Sequence, residues 1–248
     1  MVSFIGENRN VKNQRSVMKK LLFFIGIVFI STTAQSQILI TLLFGDKLNS
    51  DRMEFGLEGG LNFSNISGFE NDAYLSKFNL GFYFDIRMKN NLYLHTGVQG
   101  ISSLGMSGLS DKDVEMLNSS VLENPGDYSQ VIKSFYVPAL AQYRFKNHIY
   151  VEVGPKVGLQ YESFVNYKSD HDNKDVYIKD YNNDLLNWFD TGIALGTGYK
   201  LLEGQGWSIG ARYYQGFTNV FKDISGSKNR SFYIICKIPI GAKPPKEK

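Results

Sequence analysis

Apolar and polar residues alternate in this sequence over segments too long for ordinary soluble strands. In RMEFGLEGGLNF (52–63), Met53, Phe55, Leu57, Leu61 and Phe63 share one side, and Arg52, Glu54, Gly56, Glu58 and Gly60 the other. In FNLGFYFDIRM (78–88), Phe78, Leu80, Phe82, Phe84, Ile86 and Met88 oppose Asn79, Gly81, Tyr83, Asp85 and Arg87. The pattern returns in 148–162, 189–200, 207–217 and 231–240, and less cleanly in 91–100 and 134–145. Successive side chains of a strand point to opposite faces, so each segment reads as a strand between two different environments. Eight strands are expected, at about 52–63, 76–88, 91–102, 133–146, 148–163, 188–201, 206–217 and 230–240. Most exceed the ~5–6 residues usual in soluble sheets and reach the ~9–11 that cross a bilayer.

The connections alternate between short and long. Turns are expected at Lys89-Asn90, at Lys146-Asn147 and through Leu202–Gln205, with long links at 64–75, 103–132, 164–187 and 218–229. Short turns on one side and long loops on the other mark a membrane up-and-down barrel. The expected fold is therefore all-β: an eight-stranded antiparallel transmembrane β-barrel with long extracellular loops. A soluble barrel with its apolar face inward is the competing arrangement. The glycines separate the two, because Gly56, Gly60, Gly81, Gly154, Gly158, Gly192, Gly196, Gly198, Gly210 and Gly216 sit on the charged side. Water has no need of small neighbours, whereas charged side chains crossing a narrow tube do. The charged side is thus placed in the lumen, where Glu54, Glu58, Asp85, Arg87, Arg144, Glu152, Lys156, Asp190, Lys200 and Arg212 are expected to form a structural network of paired charges. Lys237 lies on the same side. Aromatic residues near strand ends (Phe63, Phe145, Tyr161, Tyr199, Trp207, Phe217) suit interfacial girdles facing lipid.

The N-terminus reads as an address. Met18-Lys19-Lys20 precedes the apolar run LLFFIGIVFI (21–30), and Ala34-Gln35-Ser36 offers a small-x-small cleavage site. The expected organisation is 1–36 as an upstream extension plus a cleaved signal peptide (18–36), 37–51 as a periplasmic segment, 52–240 as the barrel and 241–248 as a polar tail. The alternative is an uncleaved helix continuing through ILITLLFG (38–45).

Other chemistry is sparse. A net charge of +3 with scattered basic residues gives no basis for nucleic-acid binding. One cysteine, Cys236, and three separated histidines (His95, His148, His171) make no metal motif. SDHDNKDVYIKDYNND (169–184) lacks the spacing of a calcium loop and reads as a solvated loop. His95 has an inward register near the periplasmic end, the wrong end for surface substrates, so no catalytic residue, cofactor or metal is expected.

GLEGGLNFSNISGF (56–69), FYVPALAQYRFKNHIYVEVGPKVGL (135–159) and FDTGIALGTGYKLLEGQGWSIGARYYQGFTNV (189–220) resemble the PorT-like outer-membrane β-barrel family of Bacteroidota. The resemblance implies an outer-membrane barrel. The main expectation is a non-enzymatic barrel surrounded by outer-membrane lipid, with a side-chain-filled lumen and long loops that meet envelope proteins. A small-solute channel or a protein-secretion-associated outer-membrane component is the alternative expectation, and the resemblance itself assigns neither role. The polar ending GAKPPKEK departs from the terminal aromatic residue of many such barrels.

N-terminal sequencing of the mature protein should begin near Gln37. Recovery of Leu21–Ile30 in the mature chain would instead establish the uncleaved helix.

Overall fold

The computed structural model describes residues 50, 52–70, 73–171, 174–204 and 206–240. The expected leader and its extension, the segment 37–51 apart from Ser50, and the tail 241–248 lie outside the described residues.

The described residues form ten strands: β1 (Met53–Ile66), β2 (Ala73–Lys89), β3 (Leu92–Ile101), β4 (Ser103–Ser107), β5 (Asp127–Arg144), β6 (Ile149–His171), β7 (Lys174–Tyr181), β8 (Phe189–Lys200), β9 (Ser208–Gly216) and β10 (Asn229–Pro239). All pairings are antiparallel. The sheet closes through β1–β2–β3–β5–β6–β8–β9–β10 and back to β1. β3 and β4 are one ring strand broken at Ser102, and both pair with β2 and β5. β7 stands outside the ring and, among the described residues, pairs only with β6.

Closure turns the alternation into an inside and an outside. Leu195 is 61% exposed, Phe78 54% and Ile234 48%, while Arg212 is 1% exposed and Lys156 and Asp190 are 0%. The apolar side faces out and the charged side faces in, so the arrangement with an apolar lumen is not the one adopted. Phe145, Tyr161, Tyr199, Trp207 and Phe217 are exposed on the outer surface.

The short turns fall where the sequence places them. Asn90 between β2 and β3 and His148 between β5 and β6 have positive φ (48° and 67°), and the β8–β9 turn carries Leu202, Glu203 and Gly204 at 50°, 52° and 83°. The long links are more ordered than expected. β1 and β2 extend into the first of them, and the fourth ring strand of the sequence reading begins earlier, at Asp127. The segment 169–184 is largely a β6–β7 hairpin rather than a solvated loop. A helix, α1 (Asp111–Met116), sits in the link between β4 and β5, its start closed by a Ser110–Asp113 capping box.

These links pack on one another. Ile66, Met106, Leu109, Val114, Leu117, Tyr128, Ile132, Val165, Tyr167, Leu186, Val220 and Phe221 form one buried apolar cluster. Asp113 Oδ1 accepts from the Glu70 N–H at 3.0 Å and ties the β1–β2 link to α1. Asn182 Nδ2 donates to Leu117 O at 3.2 Å and to Gln130 Oε1 at 2.9 Å, joining two links to the ring. The long-loop end therefore carries an apolar cap with its own core, above a ring whose inside is mostly polar, with Leu104, Leu140, Ala194 and Ile235 packed among its tyrosines.

The inward glycines make room for inward tyrosines. A Cβ on Gly158 would lie 2.3 Å from Tyr136 Cε1, and one on Gly198 or Gly210 would lie 2.4 or 2.6 Å from Tyr150 Oη. Gly196 gives the same space to the Glu152 side chain. Rings and glycines on neighbouring strands fill the tube as complementary shapes. Gly158→Ala should cost about 1–3 kcal/mol by overpacking. Gly100→Ala, where a Cβ would meet nothing within 4 Å, should change stability by less than about 0.5 kcal/mol. Urea unfolding from lipid vesicles measures both.

Candidate functional site

The lumen is the chemically densest part of the molecule. At its short-turn end Lys200 (β8) pairs with Glu54 (β1), and Arg144 (β5) with Asp85 (β2). Tyr83 Oη donates to Glu54 Oε1 at 3.0 Å. Tyr93 covers the rim, its ring 3.9 Å from the Arg144 guanidinium carbon.

The centre is organised by Arg212 on β9. Its Nη1 and Nη2 donate to Glu58 Oε1 and Oε2 at 2.8 and 3.0 Å, and its Nε donates to Glu152 Oε1 at 2.7 Å. One guanidinium thus spans the tube between β1 and β6. Lys237 Nζ lies 3.3 Å from Glu152 Oε2 and 3.8 Å from Glu58 Oε2. Gln99 Nε2 and Gln142 Nε2 complete the carboxylates, donating to Glu58 and Glu152 at 3.0 Å each. His95 sits among them, with Nδ1 2.6 Å from Asp85 Oδ1 and Nε2 3.2 Å from Glu58 Oε2.

Beyond this layer the pairing changes character. Lys156 Nζ donates to Tyr233 Oη at 2.8 Å and lies 4.2, 5.0 and 4.3 Å from the ring centres of Tyr136, Tyr214 and Tyr233. Among the described residues no carboxylate is within ion-pair distance of it. Asp190 accepts from Tyr136 Oη at 2.6 Å, Thr218 Oγ1 at 2.8 Å and Asn229 Nδ2 at 2.9 Å. Lys156 and Asp190 are thus linked through tyrosines rather than joined directly. A belt of amides and hydroxyls follows, and the side chains of Asn79 and Gln160 there make no direct protein hydrogen bond. A polar buried layer of this kind is where bridging water belongs.

Of the ten residues singled out in the sequence, the structure brings Glu54, Glu58, Asp85, Arg144, Glu152, Lys156, Asp190, Lys200 and Arg212 into the lumen. Arg87 is a correction. It lies two positions past Asp85 toward the turn, is exposed, and donates to Tyr93 Oη from Nε at 3.0 Å and Nη2 at 2.8 Å. Its register is right, but its height puts it on the rim, where water solvates it. Residues missing from the sequence set are His95, Gln99, Gln142 and the tyrosines around Lys156. Their inward register was legible, but their partners lie across the tube and have no sequence spacing.

The bound carboxylates, the bidentate Arg212 and the packed rings leave the interior filled by side chains. Arg212→Met would strand Glu58 and Glu152, buried and half-neutralised, and should cost about 3–5 kcal/mol. Lys156→Met should be nearly neutral or stabilising, because a buried ammonium with no carboxylate partner is costly to keep, the tyrosine box accepts an apolar chain and Asp190 keeps its three donors. Equilibrium unfolding of both variants in lipid vesicles checks the contrast.

A family model described as outer membrane protein beta-barrel domain matches residues 34–222. No curated protein matches the chain. Among solved structures, the chain is similar to Ail, the attachment invasion locus protein of Yersinia pestis, in complex with the heparin analogue sucrose octasulfate. That match has 10% identity and a TM-score of 0.42, and covers 76% of this chain and 99% of Ail. Neisserial surface protein A matches at 8% identity and a TM-score of 0.41, covering 74% and 96% of the two chains. OprG from Pseudomonas aeruginosa matches at 11% identity and a TM-score of 0.34, covering 76% and 94%.

Proposed function

The chain belongs to the outer membrane protein β-barrel domain family, and from that premise we propose that it is a non-enzymatic barrel with a filled lumen that works through its outer end. In the outer membrane its exposed apolar belt meets lipid, its short turns face the periplasm and its long links face outward. The observation that carries the reading is a double closure. The Arg212–Glu58–Glu152 layer spans the tube, and the apolar cap covers its outer mouth. A tube closed twice offers a solute no continuous wet path.

The charges in the lumen act as its core. The five carboxylates of Glu54, Glu58, Asp85, Glu152 and Asp190 face the five cations of Arg144, Lys156, Lys200, Arg212 and Lys237. His95 touches Asp85, Glu58, Arg212 and Lys237. No serine, threonine or cysteine appears among these partners, which supports a structural rather than a catalytic histidine. The PorT-like kinship belongs to this reading, and its three sequence blocks fall on β1, the β5–β6 hairpin and the β8–β9 hairpin. Envelope proteins and outer-membrane lipid are the partners proposed, and the ordered links are the surface offered to them.

Purified protein inserted in planar bilayers should show no conductance above the lipid baseline. Steady conductance from the wild-type barrel would overturn the closed lumen and favour the small-solute channel.

A further inference from the structure

The outer end contains one strand edge that the fold does not use. β7 pairs with β6 from Phe164↔Tyr181 to His171↔Lys174, and among the described residues nothing pairs with its other side. The Asn182 N–H bonds Ser163 O at 3.0 Å and fixes the phase of the ladder. Bonded and non-bonded pairs alternate in an antiparallel ladder. Even-numbered residues of β7 therefore bond β6, while Tyr177, Lys179 and Tyr181 turn their N–H and C=O groups to the free edge. Val176, Tyr177, Ile178 and Tyr181 are exposed along it. An exposed edge with an apolar run is a template for another strand, which soluble proteins usually blunt.

A pocket lies against the same strand. It has a volume of about 230 Å³ and is lined by Leu122, Tyr128, Val165, Tyr167 and Ile178, with Ser119, Ser120, Lys179 and Asp180 as its polar part. The Tyr128 and Tyr167 ring centres lie 4.9 Å apart with the planes tilted by 49°, and their hydroxyls are committed to the Leu122 N–H and to Asn124 O. Asp180 accepts from Ser119 Oγ at 2.6 Å. The apolar walls are thus held in place. Pockets for whole small molecules run from about 300 Å³ upward, so this one suits a single large side chain.

Edge and pocket are related by register. Ile178 projects to the pocket side of the sheet, as do Val165 and Tyr167 opposite β7. A strand added beside β7 would send every second side chain to that side. We propose that β7 is a docking edge for an extended segment of a partner polypeptide, with one large apolar side chain seated in the Leu122–Tyr128–Val165–Tyr167–Ile178 pocket. Backbone hydrogen bonds supply affinity in this mode, and the pocket selects sequence. The inference rests on the outer end being the working surface and gives that surface a partner chemistry. It does not depend on the lumen being closed, so the conductance result and this one can fail separately.

The probe is a displayed library of linear eight-residue peptides, panned on the full chain in lipid nanodiscs. Lys179→Pro is the counter-target, because it removes an N–H facing the free edge and leaves the β6 ladder whole. Enriched peptides should share a period-two pattern with one large apolar residue. They should slow hydrogen exchange at the Tyr177, Lys179 and Tyr181 amides. Their binding should weaken roughly tenfold or more on Lys179→Pro and on replacing the apolar residue by Ala, as losing a bond or an anchor at an interface would require. Lys179→Thr should bind as the wild type does and shows that charge is not the determinant. No enrichment over Lys179→Pro, or protection confined to amides elsewhere, would overturn the proposal.

Discussion

Hydrocarbon gives an unpaired peptide group nothing to bond, and this requirement shapes the molecule from its ladder inward. A sheet crossing a bilayer must close on itself so that no edge meets lipid. Eight strands close on a tube with room for side chains and little else. Every inward position must then be filled, and filled with something that the outer, apolar face has not already claimed. The polar half of each alternating segment goes inside, so the protein has a core of charges and rings where a soluble domain has aliphatic side chains.

Such a core is stable only where each charge is compensated and each shape has its complement. Arg212 meets both demands at once. Its planar fork grips Glu58 with two nitrogens and Glu152 with a third, which a lysine could not do. The tyrosines solve the second problem. Tyr136 lies over Gly158, and Tyr150 reaches the space above Gly198 and Gly210. Tyr136 also connects a cation to an anion, holding Lys156 against its ring and Asp190 at its hydroxyl. A side chain with a flat apolar body and a polar tip is the right component for a narrow, charged tube.

The faces of the ring strands, the short turns and the inward placement of nine of the ten chosen residues were legible in the sequence. Period-two patterning carries that information wherever the two sides of a strand see opposite environments. The pattern fails above the membrane, where environments no longer alternate. The run VYIK of β7 (176–179) is exposed at each successive position and reads as a loop. The cap residues Leu109, Val114, Leu117, Leu186, Val220 and Phe221 are spread over three links with no shared period, and only folding brings them together. Arg87 shows a different limit: register gives the side of a strand but not the height at which the lumen ends. His95 with Asp85 and Glu58 shows a third, since contacts across a tube leave no trace in spacing.

The cap changes what the outer end can do. Loops on a barrel with an empty mouth would have to order themselves on meeting a partner, and that entropy would be taken from the binding energy. Here the links already share a buried apolar cluster. It is stitched by Asn182 to the Leu117 carbonyl and by Asp113 to the Glu70 amide. The β6–β7 hairpin enters that cluster through Val165 and Tyr167, so one of its faces is anchored while its far edge is not. A rigid support beneath an unused edge is a preorganised arrangement. The filled lumen and the ordered outer surface are therefore linked through the cap. The side chains that pack together at the long-loop end also hold in place the hairpin whose far edge is unpaired among the described residues.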